Sequence, residues 1–203
     1  MPPRKPSPAP EATRARILDA AMRCVERSGA TGMTMEDVAA ESGMVRKTVY
    51  LTFGNRNALL DAVLKQRVGI NVEQVRQIVA ACKTLDEAIV KGCIRHLQLL
   101  RKDKVLVSII ENAHGTDAER FLGGPASPVL GMMLTIWQEA FATARARGEL
   151  RTDLDDTEIA LWLRGVLNQL LIRKDLPAAA QEDLLRKFVL PALRPSATAK
   201  EQR

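Results

Sequence analysis

A group of basic and hydroxyl side chains between residues 34 and 56 has the types and spacing needed to contact a nucleic acid. Arginine and lysine can bind phosphates or guanine edges, threonine can contact a phosphate or a thymine methyl group, and a tyrosine hydroxyl can bind a phosphate. Two of the residues stand beside predicted helix N-termini, where anions bind favourably. The side chains predicted to contact DNA are Thr34, Arg46, Lys47, Thr48, Tyr50, Thr52 and Arg56.

Two short predicted helices, joined by a tight turn, would position these side chains. The turn consists of Ser42, Gly43 and Met44. Gly43 suits the positive φ that such a turn needs, and the Thr34 hydroxyl can cap the first helix. The pattern predicts a helix-turn-helix over residues 34–53, whose second, basic helix enters the major groove of DNA. A solvated three-helix bundle with a basic face is the alternative.

The remaining sequence also has the pattern of helices. Apolar residues recur three and four positions apart between residues 17 and 25, which predicts a first helix over 13–29. Thr84 and Glu87 form a predicted capping box at the start of a later helix. Because no segment alternates with a period of two, the fold class is predicted to be all-α.

The predicted domain organisation has four parts. A disordered, basic, proline-rich leader covers 1–11, a helix-turn-helix domain 12–57, a helical domain 58–193, and a disordered tail 194–203. The leader is either a solvated segment or an arm whose basic residues, Arg4 and Lys5, contact phosphates or the minor groove.

Composition excludes several classes of protein. The chain has 203 residues, a net charge of +6 and 46% hydrophobic residues, which is typical of a soluble globular protein and compatible with a polyanionic partner. No apolar run approaches the roughly 20 residues that span a bilayer, and prolines occupy the place of a signal-peptide core, so we expect a cytoplasmic location and no membrane partner. The three cysteines, Cys24, Cys82 and Cys93, lack the spacing of a disulfide framework or a metal site.

The N-terminal motifs resemble the DNA-binding domain of the tetracycline-repressor (TetR) family. The spacing matches over some 50 residues and includes Gly29, Gly43, Thr48-Val49-Tyr50 and Phe53. The distal half of the chain, with the segment from Arg147 to Asp155 followed by two apolar helices, is also similar in outline to members of the family. The resemblance implies a homodimer that binds a palindromic operator as a transcription regulator, with a helical ligand-binding and dimerisation domain after the helix-turn-helix.

The chain departs from the family pattern at the start of the recognition helix. Val45 stands where the family usually has a capping serine, Asn57 replaces an acidic residue, and Lys47 replaces a small one. We expect Asn55 or Ser42 to supply part of the missing cap, whose loss can cost about 1 kcal/mol. The base sequence that is recognised should therefore differ from that of relatives.

The predicted helix from Asp155 to Arg173 is apolar over more than one face, which is typical of a helix buried on two sides, and the last predicted helix, from Gln181 to Leu193, adds further apolar residues. One side would face the subunit's own core and the other a second subunit, forming a four-helix bundle across a two-fold axis. Packing within one subunit is the alternative. The residues predicted at the dimer interface are Leu163, Val166, Leu167, Leu170, Leu171, Leu185, Phe188 and Val189.

The family resemblance also implies a pocket for a small, hydrophobic effector in the second domain. An apolar wall with a few polar groups would suit such a compound. Each candidate could equally fill the core. The pocket residues predicted from the sequence are Cys93, His96, Leu97, Ile110, His114, Met133, Trp137, Phe141 and Trp162.

Three functional hypotheses follow from these patterns. The first is a dimeric repressor that an effector releases from DNA, and the second is a repressor without an effector. The third, an all-α enzyme, is disfavoured because neither histidine, His96 or His114, stands in a nucleophile motif or a metal-ligand pair. No catalytic residue, metal site or cofactor is predicted.

Overall fold

The computed structural model of the chain describes residues 10–111, 128–173 and 175–195. Helices and their connections make up these ranges, and no strand occurs in them, which confirms the all-α prediction. The helices are α1 (Pro10–Gly32), α2 (Met35–Ser42), α3 (Arg46–Phe53), α4 (Arg56–Ala80), α5 (Leu85–Lys102), α6 (Lys104–Glu111), α7 (Pro128–Ala146) and α8 (Asp156–Ile172). A C-terminal helical segment follows, made of Ala178–Leu184, Leu185–Val189 and Leu190–Leu193.

The described residues form two compact units. The first comprises residues 10–67 and 104–111, and the second comprises the remaining described ranges. The division therefore falls inside α4 and not at residue 57, and α6 belongs to the first unit. Helix α6 lies against α1, where the Ala30 amide donates a 2.8 Å hydrogen bond to the Ser108 hydroxyl.

Helix α1 supplies the central packing surface of the first unit. Its predicted apolar face is buried, and Gly29, which was predicted to end the helix, has a φ of 74° that interrupts the regular helical geometry. The helix begins at Pro10, so the last two residues of the predicted leader are helical. The rest of the leader lies outside the described residues, as does the tail from residue 196 onwards.

Ion pairs and a cation–π contact join α1 to the next two helices. Arg23 and Arg27 of α1 donate hydrogen bonds of 2.7 and 3.1 Å to the carboxylate of Glu41 in α2. The Arg14 guanidinium lies 4.4 Å from the centre of the Phe53 ring in α3. These contacts join the C-terminal ends of α2 and α3 to α1. Buried apolar side chains fill the space between the three helices.

Capping hydrogen bonds define where the helices begin. The Thr34 hydroxyl accepts from the Asp37 amide at 3.1 Å while the Asp37 carboxylate accepts from the Thr34 amide at 3.2 Å, a complete capping box. At α5 only half of the predicted box forms. Thr84 accepts from the Glu87 amide, but the Glu87 carboxylate accepts from the amide of Lys83 and not from that of Thr84.

The C-terminal helical segment contains one π-helical turn, at Leu185–Val189. Pro191 explains its position, because proline lacks an amide hydrogen and its ring collides with the carbonyl four residues earlier in an α-helix. The backbone widens instead, and the Leu190 amide donates to the Leu185 carbonyl. Within the described ranges, none of the helices has the length and hydrophobicity required to cross a membrane.

Candidate functional site

The predicted turn between α2 and α3 depends on Gly43. Its φ of 64° and ψ of 23° lie in the left-handed region, and its amide donates to the Ala40 carbonyl at 3.2 Å. A Cβ atom at this position would also lie 2.9 Å from the Arg16 guanidinium. Glycine is therefore the residue that lets the chain reverse closely enough to place α3 across α2.

Helix α3 has one buried face and one outward face. Val49 and Phe53 are buried, while Arg46, Lys47 and Tyr50 are exposed. Thr48 and Thr52, the other two predicted contact residues on this helix, are half-buried, and the Thr52 hydroxyl donates to the Thr48 carbonyl at 2.7 Å. The helix contains no acidic residue, so its outward face carries only positive charge.

The prediction that Asn55 or Ser42 supplies part of the missing N-cap of α3 is wrong. Val45 occupies the N-cap position and provides no side-chain hydrogen bond. The Ser42 hydroxyl donates to the Ala39 carbonyl inside the turn, and the Asn55 side chain accepts from the Ala58 amide at 2.9 Å, which caps α4. The sequence could not show this because both side chains have a closer backbone partner.

Arg46 forms an ion pair with Glu36 of α2. Both side chains are largely exposed, and exposed pairs contribute less than about 1 kcal/mol because water screens them. Arg46 can therefore exchange Glu36 for a phosphate at little energetic cost. Lys47 forms no ion pair with any residue in the described part of the chain. Lys47 can therefore bind a polyanion directly, whereas Arg46 must first leave Glu36.

Arg56 has a different environment from the one expected of a phosphate contact. It is half-buried, and its guanidinium donates to the carbonyls of Met33 at 2.8 Å and Thr31 at 3.2 Å, and to that of Ala30. Ala30 and Thr31 lie in the last turn of α1, where the helix itself leaves carbonyls unpaired, and Met33 follows directly after the helix. Sequence reasoning missed this role because the partners lie more than 20 residues away.

We expect Arg56→Ala to destabilise the chain by about 1.5–3 kcal/mol, because it leaves carbonyls at the end of α1 without their charged donor. Denaturant unfolding would measure the loss. Lys47→Ala removes the same charge from an exposed position and should change stability by less than about 0.5 kcal/mol. Equal unfolding midpoints for the two variants would contradict the structural role of Arg56.

Two apolar side chains on the outward side of α3 were not predicted as contact residues. Val45 is exposed at the N-cap, and Leu51 is 76% exposed in the second turn. The signal was present in the sequence, because Leu51 stands two residues from both Val49 and Phe53 and so lies on the opposite side of the helix.

Most of the predicted pocket residues lie in the interior of the second unit. The buried members of the set are Cys93, His96, Leu97, Met133, Trp137 and Phe141. The side chain of Ile110 and the whole of His114 fall outside the described residues. The prediction that Trp162 lines an interior pocket is wrong. Trp162 is 43% exposed and lies on the surface of α8, because the wide apolar arc of that helix extends beyond the face its own subunit covers.

The ring of Trp137 is tightly packed. It stacks with Phe141 at a centroid distance of 6.0 Å and an interplanar angle of 12°. A Cβ atom on Gly92 would lie 2.7 Å from both the Trp137 ring and the Val79 side chain. Helix α5 can therefore approach α7 closely only because residue 92 is glycine.

Several polar side chains in the second unit have buried nitrogen atoms. The His96 Nδ1, Trp137 Nε1 and Asn71 Nδ2 atoms have no hydrogen-bond partner among the described residues. Burial lowers the pKa of His96 to about 4, so the imidazole is neutral near pH 7, and burial raises the pKa of the Cys93 thiol to about 12. A hydrogen-bond acceptor that reached the Trp137 or the Asn71 donor would satisfy it. Asn71 was not among the predicted residues.

An apolar groove of about 550 Å³ runs between α8 and the C-terminal helical segment. Phe188 is 67% exposed, and Trp162 and Val166 also line the groove. The other lining residues are Leu161, Gly165, Gln169, Leu170, Leu184, Leu185 and Val189. The groove brings the exposed Trp162 and Phe188 side chains onto one apolar surface.

The predicted interface residues separate into three groups by burial and by position relative to the groove. Phe188 is exposed and Val166 and Leu171 are half-buried, whereas Leu163 and Leu167 are buried within the subunit. The remaining three, Leu170, Leu185 and Val189, are buried but line the groove floor. Leu163 and Leu167 therefore belong to the subunit's own core, because helical periodicity shows that a face is apolar without showing what covers it.

Comparison with known sequences identifies the first unit. Residues 17–63 match the family model described as bacterial regulatory proteins, tetR family. The fatty acid metabolism regulator protein of Bacillus subtilis is 23% identical over 139 residues, which is 68% of this chain and 71% of that protein.

Comparison with solved structures extends the likeness to the fold of most of the chain. A TetR-family transcriptional regulator from Pectobacterium atrosepticum matches with a TM-score of 0.69 and 22% identity, covering 91% of this chain and 95% of that one. The transcriptional regulator FadR from Bacillus subtilis, solved in complex with stearoyl-CoA, matches with a TM-score of 0.64 and 18% identity, covering 85% of this chain and 97% of that one. Residues 17–63 therefore match the tetR family of bacterial regulatory proteins, and the solved structures show that most of the chain shares the fold of such regulators.

Proposed function

We propose that the chain is a homodimeric repressor that binds a palindromic operator through α3 and leaves it when a small, largely apolar effector binds. The observation that carries DNA binding is the outward face of α3, which has exposed cations and no acidic residue and is fixed by the Gly43 turn. Such a helix can enter the major groove while α2 crosses the backbone.

The cations of α3 would supply most of the affinity for phosphate. Lys47 is already accessible, and Arg46 would leave Glu36 for a phosphate or a guanine edge. The exposed Tyr50 hydroxyl can donate a further hydrogen bond to the backbone. Each phosphate contact releases counterions, so the affinity should fall steeply as salt rises.

The groove between α8 and the C-terminal helical segment supports the dimer. Exposed Phe188 and Trp162 side chains would be buried by the same groove on a second copy, which is the self-complementary arrangement of a two-fold interface. Two copies of α3 would then read two half-sites about 34 Å, or one helical turn of DNA, apart. The two-fold symmetry of the proposed dimer is the reason for proposing a palindromic operator, because the same symmetry would relate the two half-sites.

The interior of the second unit supports an effector with an apolar body and hydrogen-bond acceptors. Trp137 and Asn71 each have a buried donor with no partner among the described residues, and the buried His96 is neutral near pH 7. FadR from Bacillus subtilis was solved with stearoyl-CoA, a molecule with a long apolar chain. We therefore choose a long-chain acyl thioester as the first effector to test.

One observation favours a second candidate, a repressor that needs no effector. The Trp137 ring contacts Phe141 and lies close against Gly92, which is the packing of a filled core. An effector would have to displace side chains in order to reach the buried donors.

The DNA-binding proposal is tested with operator sequences that the protein itself selects from a random double-stranded library. We expect Arg46→Ala/Lys47→Ala to weaken binding by at least about tenfold and to flatten the dependence of affinity on salt, because up to two phosphate contacts per subunit are lost. The control, Lys83→Ala/Lys102→Ala, removes the same charge from exposed positions in the second unit and should leave the salt dependence unchanged. An equal loss in both variants would contradict the assignment of α3.

The effector proposal is tested on the same complex. Stearoyl-CoA should weaken operator binding by roughly 5- to 150-fold, the usual range of allosteric coupling, whereas coenzyme A alone should not. If neither stearoyl-CoA nor a panel of other apolar compounds changes the affinity, the second candidate is favoured.

A further inference from the structure

The outward face of α3 has an apolar side chain at its centre. Leu51 lies two residues after Val49 and two before Phe53, and 100° of rotation per residue places it about 200° from each of these buried side chains. It is 76% exposed. Leu51 therefore points almost directly away from the core of the first unit.

The neighbours of Leu51 on that face are side chains that suit DNA. Lys47 and Thr48 stand four and three residues earlier, so they lie beside Leu51 one turn towards the helix N-terminus. Tyr50 and Thr52 flank it along the chain. A partner that covers Leu51 must also accept a lysine and several hydroxyl groups, which a DNA groove does and an apolar protein surface does not.

The major groove offers one apolar group to such a side chain, the 5-methyl group of thymine. Contact between this methyl group and a leucine excludes water from both. The presence of the methyl group distinguishes A·T from G·C pairs, and its position in the groove distinguishes A·T from T·A. Arg46 and Lys47 can bind phosphates and guanines, but they have no means of recognising a methyl group.

We propose that Leu51 is a specificity-determining residue that contacts a thymine methyl group in each half-site of the operator. The inference rests on the proposed DNA binding by α3 and adds the kind of base that this position recognises. Because Leu51 is exposed, replacing it with alanine should leave the fold and its stability intact, which makes the side chain open to a direct test.

The experiment uses the DNA that the wild-type protein selects from a random library, with thymines replaced in symmetric pairs by deoxyuracil. This replacement removes the methyl group and keeps every hydrogen-bonding group of the base. For one pair of positions, we expect wild-type affinity to fall by about fourfold per half-site, the effect of exposing one methyl-sized group. Leu51→Ala should bind the thymine and uracil forms of that site equally.

Each other outcome has a defined meaning. If the wild-type protein selects no sequence, the proposed DNA-binding function fails and the inference fails with it. If it binds a selected site that lacks thymine, or one in which no uracil replacement matters, the inference alone is overturned. If Leu51→Ala remains as sensitive to uracil as the wild type, another residue, such as Thr48, reads the methyl group. Ile70→Ala, at an exposed apolar position in the second unit, is the control and should behave as the wild type.

Discussion

Phe188→Glu is expected to convert the proposed dimer into a monomer and to weaken operator binding by about 100-fold or more. Phe188 is the most exposed large apolar residue lining the groove between α8 and the C-terminal helical segment. A glutamate in the same place would bring a charge from each subunit into an apolar interface, where charges are strongly disfavoured unless they are paired.

The loss of DNA affinity follows from the loss of the dimer. In a dimer, binding of one α3 helix holds the second near its half-site at a high effective concentration, which typically adds a factor of about 100 to 10,000 to the affinity. A monomer retains a complete helix-turn-helix but binds each half-site separately. The two measurements should therefore change together.

Sedimentation velocity and operator titration would check this result on the same samples. Ile70→Glu is the matched control, because it introduces the same charge at an exposed apolar position of α4 that does not line the groove. It should remain dimeric and keep its affinity. A Phe188→Glu protein with wild-type mass and affinity would place the dimer interface elsewhere.

Acidification from pH 6.5 to pH 4 is expected to destabilise the folded chain through His96. Burial lowers the pKa of His96 from 6.5 to about 4, so between these values the unfolded chain binds a proton that the folded chain does not. The state that binds more protons gains stability as pH falls, and here that is the unfolded state. The full shift corresponds to about 3 kcal/mol of lost stability at and below pH 4, and none of it is lost well above pH 6.5.

His96→Leu isolates this contribution, because carboxylates elsewhere also titrate near pH 4. The free energy of unfolding of wild type and variant, measured by denaturant titration at several pH values, should differ by an amount that changes by about 3 kcal/mol across the window. Below pH 4 the variant should be relatively more stable, since leucine has no proton to accept. Parallel curves for the two proteins would show that His96 is accessible to water or partnered when charged.

The sequence was most informative where a feature depends on residues close together in the chain. Thr34 and Asp37 are three residues apart, and their capping box follows from residue type and spacing. Gly43 indicates its left-handed turn because glycine alone adopts that conformation at little cost. The outward position of Leu51 also follows from its spacing to Val49 and Phe53.

The sequence was least informative about the partners of long or polar side chains. Arg56 appeared as an accessible cation, whereas its donors meet carbonyls 23 to 26 residues earlier in the chain. Ser42 and Asn55 had suitable types to cap α3, but each has a nearer acceptor or donor. A donor's partner depends on which groups the fold brings within about 3 Å, and sequence spacing does not give that distance.

The helix-turn-helix and the all-α class were determined by the sequence itself, because they depend on local turn geometry and on the 3.6-residue period of apolar positions. The tertiary structure alone decided that Trp162 and Phe188 share an exposed groove while Leu163 and Leu167 lie inside the subunit. It also decided that α6 packs with the first unit. Periodicity shows which faces of a helix avoid water, but only the assembled fold determines which neighbour covers each face.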